Sequence, residues 1–239
     1  MSGSVDRRLS LDVQHLSRTF AKREVVCDLS FQVSFGSTLG LLGSNGAGKS
    51  TTLRMLSGCL IPSKGGIQVG GYDMHVLPLQ AKRKLGYLPE SNPIYTDCYV
   101  SEYIYYIARL QQLSPKDAKD RTQFCIERCG LLEVQHRKLK TLSKGYRQRV
   151  GIARTLVHDP EVLILDEPFS GLDTEQLESI CKLIEEVRSC KAVVLSTHRL
   201  SEAALLCDRV LVLKAGRKAF WGSTTQWQRS ISLQEPLKV

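Results

Sequence analysis

Residues Gly43-Ser44-Asn45-Gly46-Ala47-Gly48-Lys49-Ser50 constrain this chain more than any other stretch, because they fit the pattern G-x-x-x-x-G-K-[ST] in a context that few folds provide. Upstream, Thr38-Leu39-Gly40-Leu41-Leu42 is an apolar run of strand length. Downstream, Ser50 to Gly58 has helical spacing, with Leu53 and Leu56 on one face and Gly58 as the stop. A strand feeding a glycine-rich loop that opens a helix predicts backbone N–H groups curled around phosphate oxygens, with the helix N-terminus adding partial positive charge. Lys49 is then expected to reach the β- and γ-phosphates, and the Ser50 hydroxyl to bind Mg²⁺. The bland alternative is a glycine turn before an ordinary helix. The bare pattern arises by chance in roughly one chain in a hundred of this length, and the strand–loop–helix context lowers that further. A nucleoside triphosphate is the expected ligand.

The chain has the size for such a core. With 239 residues, 42% of them hydrophobic, it can bury one large domain or a domain with an inserted lobe. No apolar run approaches the ~20 residues that cross a bilayer. The N-terminus, with Asp6, Arg7 and Arg8 and no apolar segment, does not read as a signal peptide. Eight cysteines show no C-x-x-C pair and no zinc spacing, and Cys125 and Cys129 fall on one face of a helical pattern, so a reducing cytosol is expected. The formal charge of +9 is spread over short groups: Lys82-Arg83-Lys84, Arg137-Lys138 with Lys140, and Arg217-Lys218. None is interleaved with aromatics. That favours a solvated face over a nucleic-acid footprint, and no direct nucleic-acid partner is expected.

The opening third alternates like a small antiparallel sheet, through Leu11-Val13, Leu29-Phe31-Val33-Phe35 and Ile67-Val69. From about Tyr87 to Leu142 the pattern turns helical. Ser101 is expected to cap a helix reaching about Leu113, and Ser114-Pro115 to start another that ends near Gly130. Buried-strand runs then return at Val162–Leu165, Ala192–Leu195 and Val210–Leu213, separated by helical stretches at Thr174–Arg188 and Ser201–Cys207. Strands alternating with helices predict an α/β fold with a parallel sheet covered on both faces, carrying an inserted helical lobe. The residues after Gly222 read as a short polar tail, with no room for an added regulatory domain.

A triphosphate site also needs a carboxylate for the metal and a group that acts on the attacking water. The apolar run Val162–Leu165 ends in Asp166-Glu167-Pro168, which supplies both. Asp166 is expected in the Mg²⁺ shell, and Glu167 beside the water that attacks the γ-phosphate. Ser196-Thr197-His198 ends the next buried run, where the His198 imidazole would sense the γ-phosphate. Leu142-Ser143-Lys144-Gly145-Tyr146-Arg147-Gln148-Arg149 opens a further helix and is, by itself, a cap.

Taken in order, these segments, with Ser170-Gly171-Leu172-Asp173 after the carboxylates, resemble the ATP-binding cassette (ABC) ATPases from about Leu11 to Gly222. The resemblance implies a P-loop NTPase, RecA-like core with an antiparallel β-subdomain and a helical subdomain inserted at about 87–150, the whole of 1–239 forming one cassette with a polar tail at about 223–239. It implies ATP and Mg²⁺ as ligands, with Phe20 stacking on adenine and Gly43 to Thr51, through Ser44, Asn45, Gly46, Ala47, Gly48, Lys49 and Ser50, as Walker A. Asp166 and Glu167 correspond to Walker B and the catalytic glutamate, Asp173 to the D-loop and His198 to the switch histidine. Ser143, Lys144 and Gly145 match the signature loop, which in this family binds the γ-phosphate held by the opposite subunit. The implied protein is half of a head-to-tail pair, with an identical or paralogous second cassette, seated at the cytoplasmic face of the membrane on transmembrane permease subunits.

Three positions depart from the family pattern. Lys144 and Tyr146 replace the usual second glycine and the glutamine of the signature, and Glu90 stands at the Q-loop position, where it can still meet metal or water. The Leu88-Pro89-Glu90 and Leu142–Tyr146 variants resemble exporter-type and gliding-motility-associated cassettes. Tyr95, Tyr99, Tyr103, Tyr105 and Tyr106 read either as core packing or as a contact surface for the permease. The other functional readings are a soluble ABC ATPase acting on nucleic acid or ribosomes, and a cassette-like regulator that binds ATP without hydrolysing it. The chain shows neither a second cassette nor a long coiled-coil insertion, and it keeps Glu167 and His198.

Overall fold

The computed structural model describes residues 9–233. A long hairpin of β1 (Leu9–Phe20) and β2 (Arg23–Ser34) leads into β3 (Thr38–Leu42), and the glycine-rich loop then opens α1 (Lys49–Leu56). β4 (Lys64–Val69), β5 (Tyr72–Asp73), α2 (Pro78–Arg83) and β6 (Leu85–Leu88) follow. Three helices come next: α3 (Val100–Leu110), α4 (Pro115–Arg128) and α5 (Lys144–Leu156). The last third runs β7 (Val162–Leu165), α6 (Thr174–Arg188), β8 (Ala192–Thr197), α7 (Leu200–Leu206), β9 (Arg209–Lys214), β10 (Arg217–Ser223) and α8 (Thr224–Leu233).

Two sheets result. A four-stranded antiparallel sheet runs β2-β1-β4-β5, and a six-stranded sheet runs β10-β9-β3-β8-β7-β6. In the larger sheet every pair is parallel except β10 with β9. β3, β7 and β8 are buried along their whole length, which explains why they read as unbroken apolar runs instead of alternating. Their side chains still alternate in direction. Leu39, Leu41, Val162, Ile164, Ala192 and Val194 join the core shared with α1 and the antiparallel sheet. Leu42, Leu163, Leu165, Val193 and Leu195 join the second core, with α3, α4, α5 and α6.

Parallel pairing decides where the loops emerge. Leu42 pairs with Thr197, Leu195 with Leu165, and Leu165 with Leu88. Gly43, His198, Asp166 and Pro89 therefore leave the sheet from the same edge, the position at which open α/β sheets bind ligands.

The structure redraws several boundaries. α3 begins at Val100, not after Ser101; its N-cap is Tyr99, whose amide donates to the Glu102 carboxylate at 3.4 Å, as in a capping box. The tyrosines divide: Tyr103 is buried in the helical core, whereas Tyr95, Tyr99, Tyr105 and Tyr106 are exposed. Leu85–Leu88 is an edge strand where a helical stretch was expected to begin, and α2 precedes it. Four residues with a glycine inside carry too little periodicity to announce a strand. Of the stretch read as a polar tail, Thr224–Leu233 form α8, anchored by the buried Thr224 hydroxyl, which donates to the Cys207 carbonyl at 2.5 Å, and by Trp227 packed on Phe220 with ring centroids 4.8 Å apart; 234–239 lie outside the described residues.

β6 is held close to α5 because position 86 has no side chain: a Cβ there would lie 2.4 Å from the Thr155 carbonyl oxygen and 2.9 Å from Leu163 Cδ2. Backbone cannot yield as a side-chain tip does. Gly86→Ala is expected to cost about 1–3 kcal/mol of stability, read as a lower urea midpoint.

Candidate active site

The loop between β3 and α1 has two places where only glycine fits. Gly43 has φ +153°, and a Cβ would stand 2.6 Å from the Leu213 carbonyl oxygen; Gly48, the N-cap of α1, has φ +106° and would bring a Cβ to 2.9 Å from the Val25 carbonyl oxygen. The left-handed turn at Gly48 aims the first amides of α1 into open space, where the helix dipole favours an anion. A cavity of about 490 Å³ opens there, lined by Asn45, Gly46, Gly48, Lys49, Ser50 and Thr51 from the loop, with Val25, Glu90, Glu167, Ser170 and His198.

Charges are concentrated at its floor. Lys49 is buried, donates from Nζ to the Gly43 carbonyl at 2.8 Å, and stands 3.5 Å from Glu167 Oε1. The other oxygen of Glu167, Oε2, is 3.0 Å from His198 Nδ1. Asp166 is buried beneath them and accepts from Ser196 Oγ at 2.6 Å and from Ser50 Oγ at 3.3 Å. Burial pushes the Asp166 carboxyl above the usual carboxylate range, against the opposing pull of the Ser196 and Ser50 hydroxyls. Glu167 adopts φ +48°, a left-handed conformation that costs a side chain of this kind about 1–2 kcal/mol. Its amide is compensated by a bond to Ser196 Oγ at 2.8 Å. Strain of this sort collects at functional positions, because the surrounding structure has to impose it.

The donor set suits a hard cation shared with a phosphate ligand. Among the described residues no group of three or more His, Cys, Asp or Glu side chains could hold a metal unaided. Ser50 and Asp166 offer two adjoining oxygen ligands at the cavity, and Glu90 adds a carboxylate on its wall. One or two protein oxygens completed by phosphate and water is the way Mg²⁺ is bound at nucleotide sites.

The remaining expected residues lie elsewhere. Phe20 ends β1 with its ring exposed and the Arg18 guanidinium 4.5 Å over one face; it does not line the cavity. Ser143 caps α5, accepting from the Tyr146 amide, and with Gly145 it lines a separate cavity of about 250 Å³ beside α6. Asp173 caps α6 through the Gln176 amide at 2.8 Å and borders that second cavity. Lys144 lines a third cavity with Glu90 and Asn92, its ammonium end against Gly171. Ser196 was not singled out from the sequence, yet one hydroxyl ties Asp166 to the Glu167 backbone. The only hint was a small polar residue closing an apolar strand.

Residues 26–170 match the family model described as ABC transporter. An ABC transporter ATP-binding protein of Methanocaldococcus jannaschii is 34% identical over 228 residues, covering 95% of this chain and 82% of that protein. The linearmycin resistance ATP-binding protein LnrL of Bacillus subtilis is 32% identical over 216 residues, covering 90% and 70%. A solved structure of the ATP-binding subunit of an ABC transporter superposes with a TM-score of 0.83 at 30% identity, over 94% of each chain.

Asp166 generates a prediction about stability. A carboxyl whose pKa is raised on folding contributes stability below its unfolded pKa, and that contribution disappears as pH rises through the folded value. Asp166→Asn removes the buried charge at every pH while keeping an acceptor for both serines. The ligand-free variant is therefore expected to be more stable than the wild type at pH 8. The gain should shrink as pH falls through the carboxylate range, as followed by urea denaturation across pH.

Proposed function

The chain belongs to the ABC transporter family as an ATP-binding and ATP-hydrolysing subunit, and we propose that it energises solute movement by closing head-to-tail on a second cassette beneath separate permease subunits. One observation carries the proposal. Lys49, Ser50, Glu167 and His198 gather at one cavity, while Ser143 and Gly145 of the same chain line another. A site divided in this way is completed only by a second copy or a paralogue. Residues 1–239 are then one cassette, and the segment 87–150 is the lobe that presents the signature loop to the partner.

In this reading the amides from Ser44 to Thr51 cradle the phosphates, and Phe20 supplies a stacking face for adenine. Lys49 exchanges the Gly43 carbonyl and Glu167 for phosphate oxygens, which leaves Glu167 free to take a proton from the attacking water. His198, already on the far oxygen of Glu167, holds that carboxylate in place and faces the γ-phosphate. Ser50 and Asp166 would hold Mg²⁺, with Glu90 alongside; when bound, the ion neutralises charge on the phosphates. Ser143 and Gly145, flanked by Lys144, meet the γ-phosphate held by the partner, and Asp173 stands at the seam. The products are ADP and phosphate.

The linearmycin resistance relative supports outward transport. No helix among the described residues is long and apolar enough to cross a membrane. The proposed seat is peripheral, at the cytoplasmic face, with exposed Tyr95, Tyr99 and Tyr106 available to a permease.

Lys49→Ala is expected to weaken ATP binding about tenfold or more, the worth of a charge-assisted contact; unchanged affinity by calorimetry would overturn the site. Glu167→Gln is expected to slow hydrolysis by about a hundredfold or more while ATP still binds. It should also accumulate as a dimer in saturating Mg-ATP, seen by light scattering. A Glu167→Gln protein that hydrolyses ATP at the wild-type rate would remove Glu167 from the chemistry.

A further inference from the structure

The turn that presents His198 is held by a carboxylate that the chemistry above does not use. Thr197, the last residue of β8, and Glu202, in the first turn of α7, are both buried, at 0% and 5% exposure. The Thr197 hydroxyl donates to Glu202 Oε2 and accepts from the Arg199 amide at 3.0 Å. The Arg199 guanidinium stands 3.5 Å from the other carboxylate oxygen, Oε1. Within the turn 197–199, the side chains on either side are tied to Glu202, and the His198 ring between them reaches Glu167 instead.

The arrangement is a capping box with a relay inserted. α7 begins with Arg199 at the N-cap, a residue type that cannot accept from the first helical amides, and no side chain caps it. Glu202 occupies the third helical position, from which a glutamate ordinarily accepts the N-cap amide directly. Here the Thr197 hydroxyl accepts from that amide and donates to the Glu202 carboxylate. A buried carboxylate is costly unless it is hydrogen-bonded, so the turn has one satisfied arrangement and no cheap neighbour.

We infer that Glu202 is a positioning residue for ATP hydrolysis, locking the 197–199 turn through the Thr197 hydroxyl so that the His198 ring stays on Glu167. The inference rests on the reading of Glu167 and His198 as a working pair. It assigns the buried end of α7 to catalysis, where packing of Ala203 and Leu206 alone would have accounted for the helix.

Steady-state phosphate release by the full chain tests it. Glu202→Ala and Thr197→Val remove the same hydrogen bond from opposite ends. Each is expected to lower kcat by about tenfold to a hundredfold, the cost of a misplaced catalytic group. ATP affinity by calorimetry should stay within about twofold of wild type, because uniform binding is untouched. Glu202→Gln, which keeps an acceptor, should recover most of the rate. Combined with His198→Ala, neither change should slow the enzyme further. Losses that multiply with His198→Ala, or a Thr197→Val protein at wild-type turnover while His198→Ala is slow, would overturn the role of Glu202 alone. Wild-type turnover in His198→Ala would overturn the role of His198 and this inference with it. Should Glu202→Ala not fold, the near-isosteric Thr197→Val carries the same comparison.

Discussion

The candidate active site depends on the hydrogen-bond register of β3, β8, β7 and β6. Parallel pairing places the carboxyl ends of these strands at one level, with Leu42 beside Thr197 and Leu165 beside both Leu195 and Leu88. The glycine loop, the two carboxylates, His198 and the segment carrying Glu90 all issue from that edge. A slip of one residue in any pair would exchange the two core faces of a strand and carry its functional residue off the edge. Close packing on both faces opposes the slip, because each side chain fills a space shaped for it. The same apolar side chains that stabilise the sheet therefore also set the geometry of the site.

The edge is also where the fold accepts unfavourable local terms. Asp166 is ionisable and buried, Glu167 is left-handed, and Lys49 is nearly excluded from water. Each is countered by a specific bond: Ser196 to Asp166 and to the Glu167 amide, the Gly43 carbonyl to Lys49, and Glu167 to both Lys49 and His198. A network of this kind is preorganised for a polyanion, because charge and donors are already held when the ligand arrives. The loop of Ser143 and Gly145 lies outside this network, at a different cavity.

Much of this was legible in the chain. The glycine loop announces itself because phosphate binding needs a fixed spacing of glycines, lysine and a hydroxyl within one local turn. Asp166 and Glu167 are legible because a fully buried strand must be an unbroken apolar run, and whatever follows it is delivered to the edge. Short edge strands were not legible: β6 and β10 owe their conformation to β7 and β9, their pairing partners, and carry little periodicity of their own. Nor was the division among the tyrosines. Tyr103 enters the core with Val100, Ile104 and Ala108, whereas Tyr106 falls at the exposed margin of that stripe.

By itself, the sequence determined the loop, the carboxylates at a strand end, the helix caps at Ser114 and Ser143 and the identity of the family, all features written within a few adjacent residues. Tertiary structure alone decided which of them meet. Ser196 joins Asp166 to Glu167, and Ser143 with Gly145 stays apart from Lys49. These relations follow from strand order and helix placement, which bring together residues dozens of positions apart, and no local spacing encodes that distance.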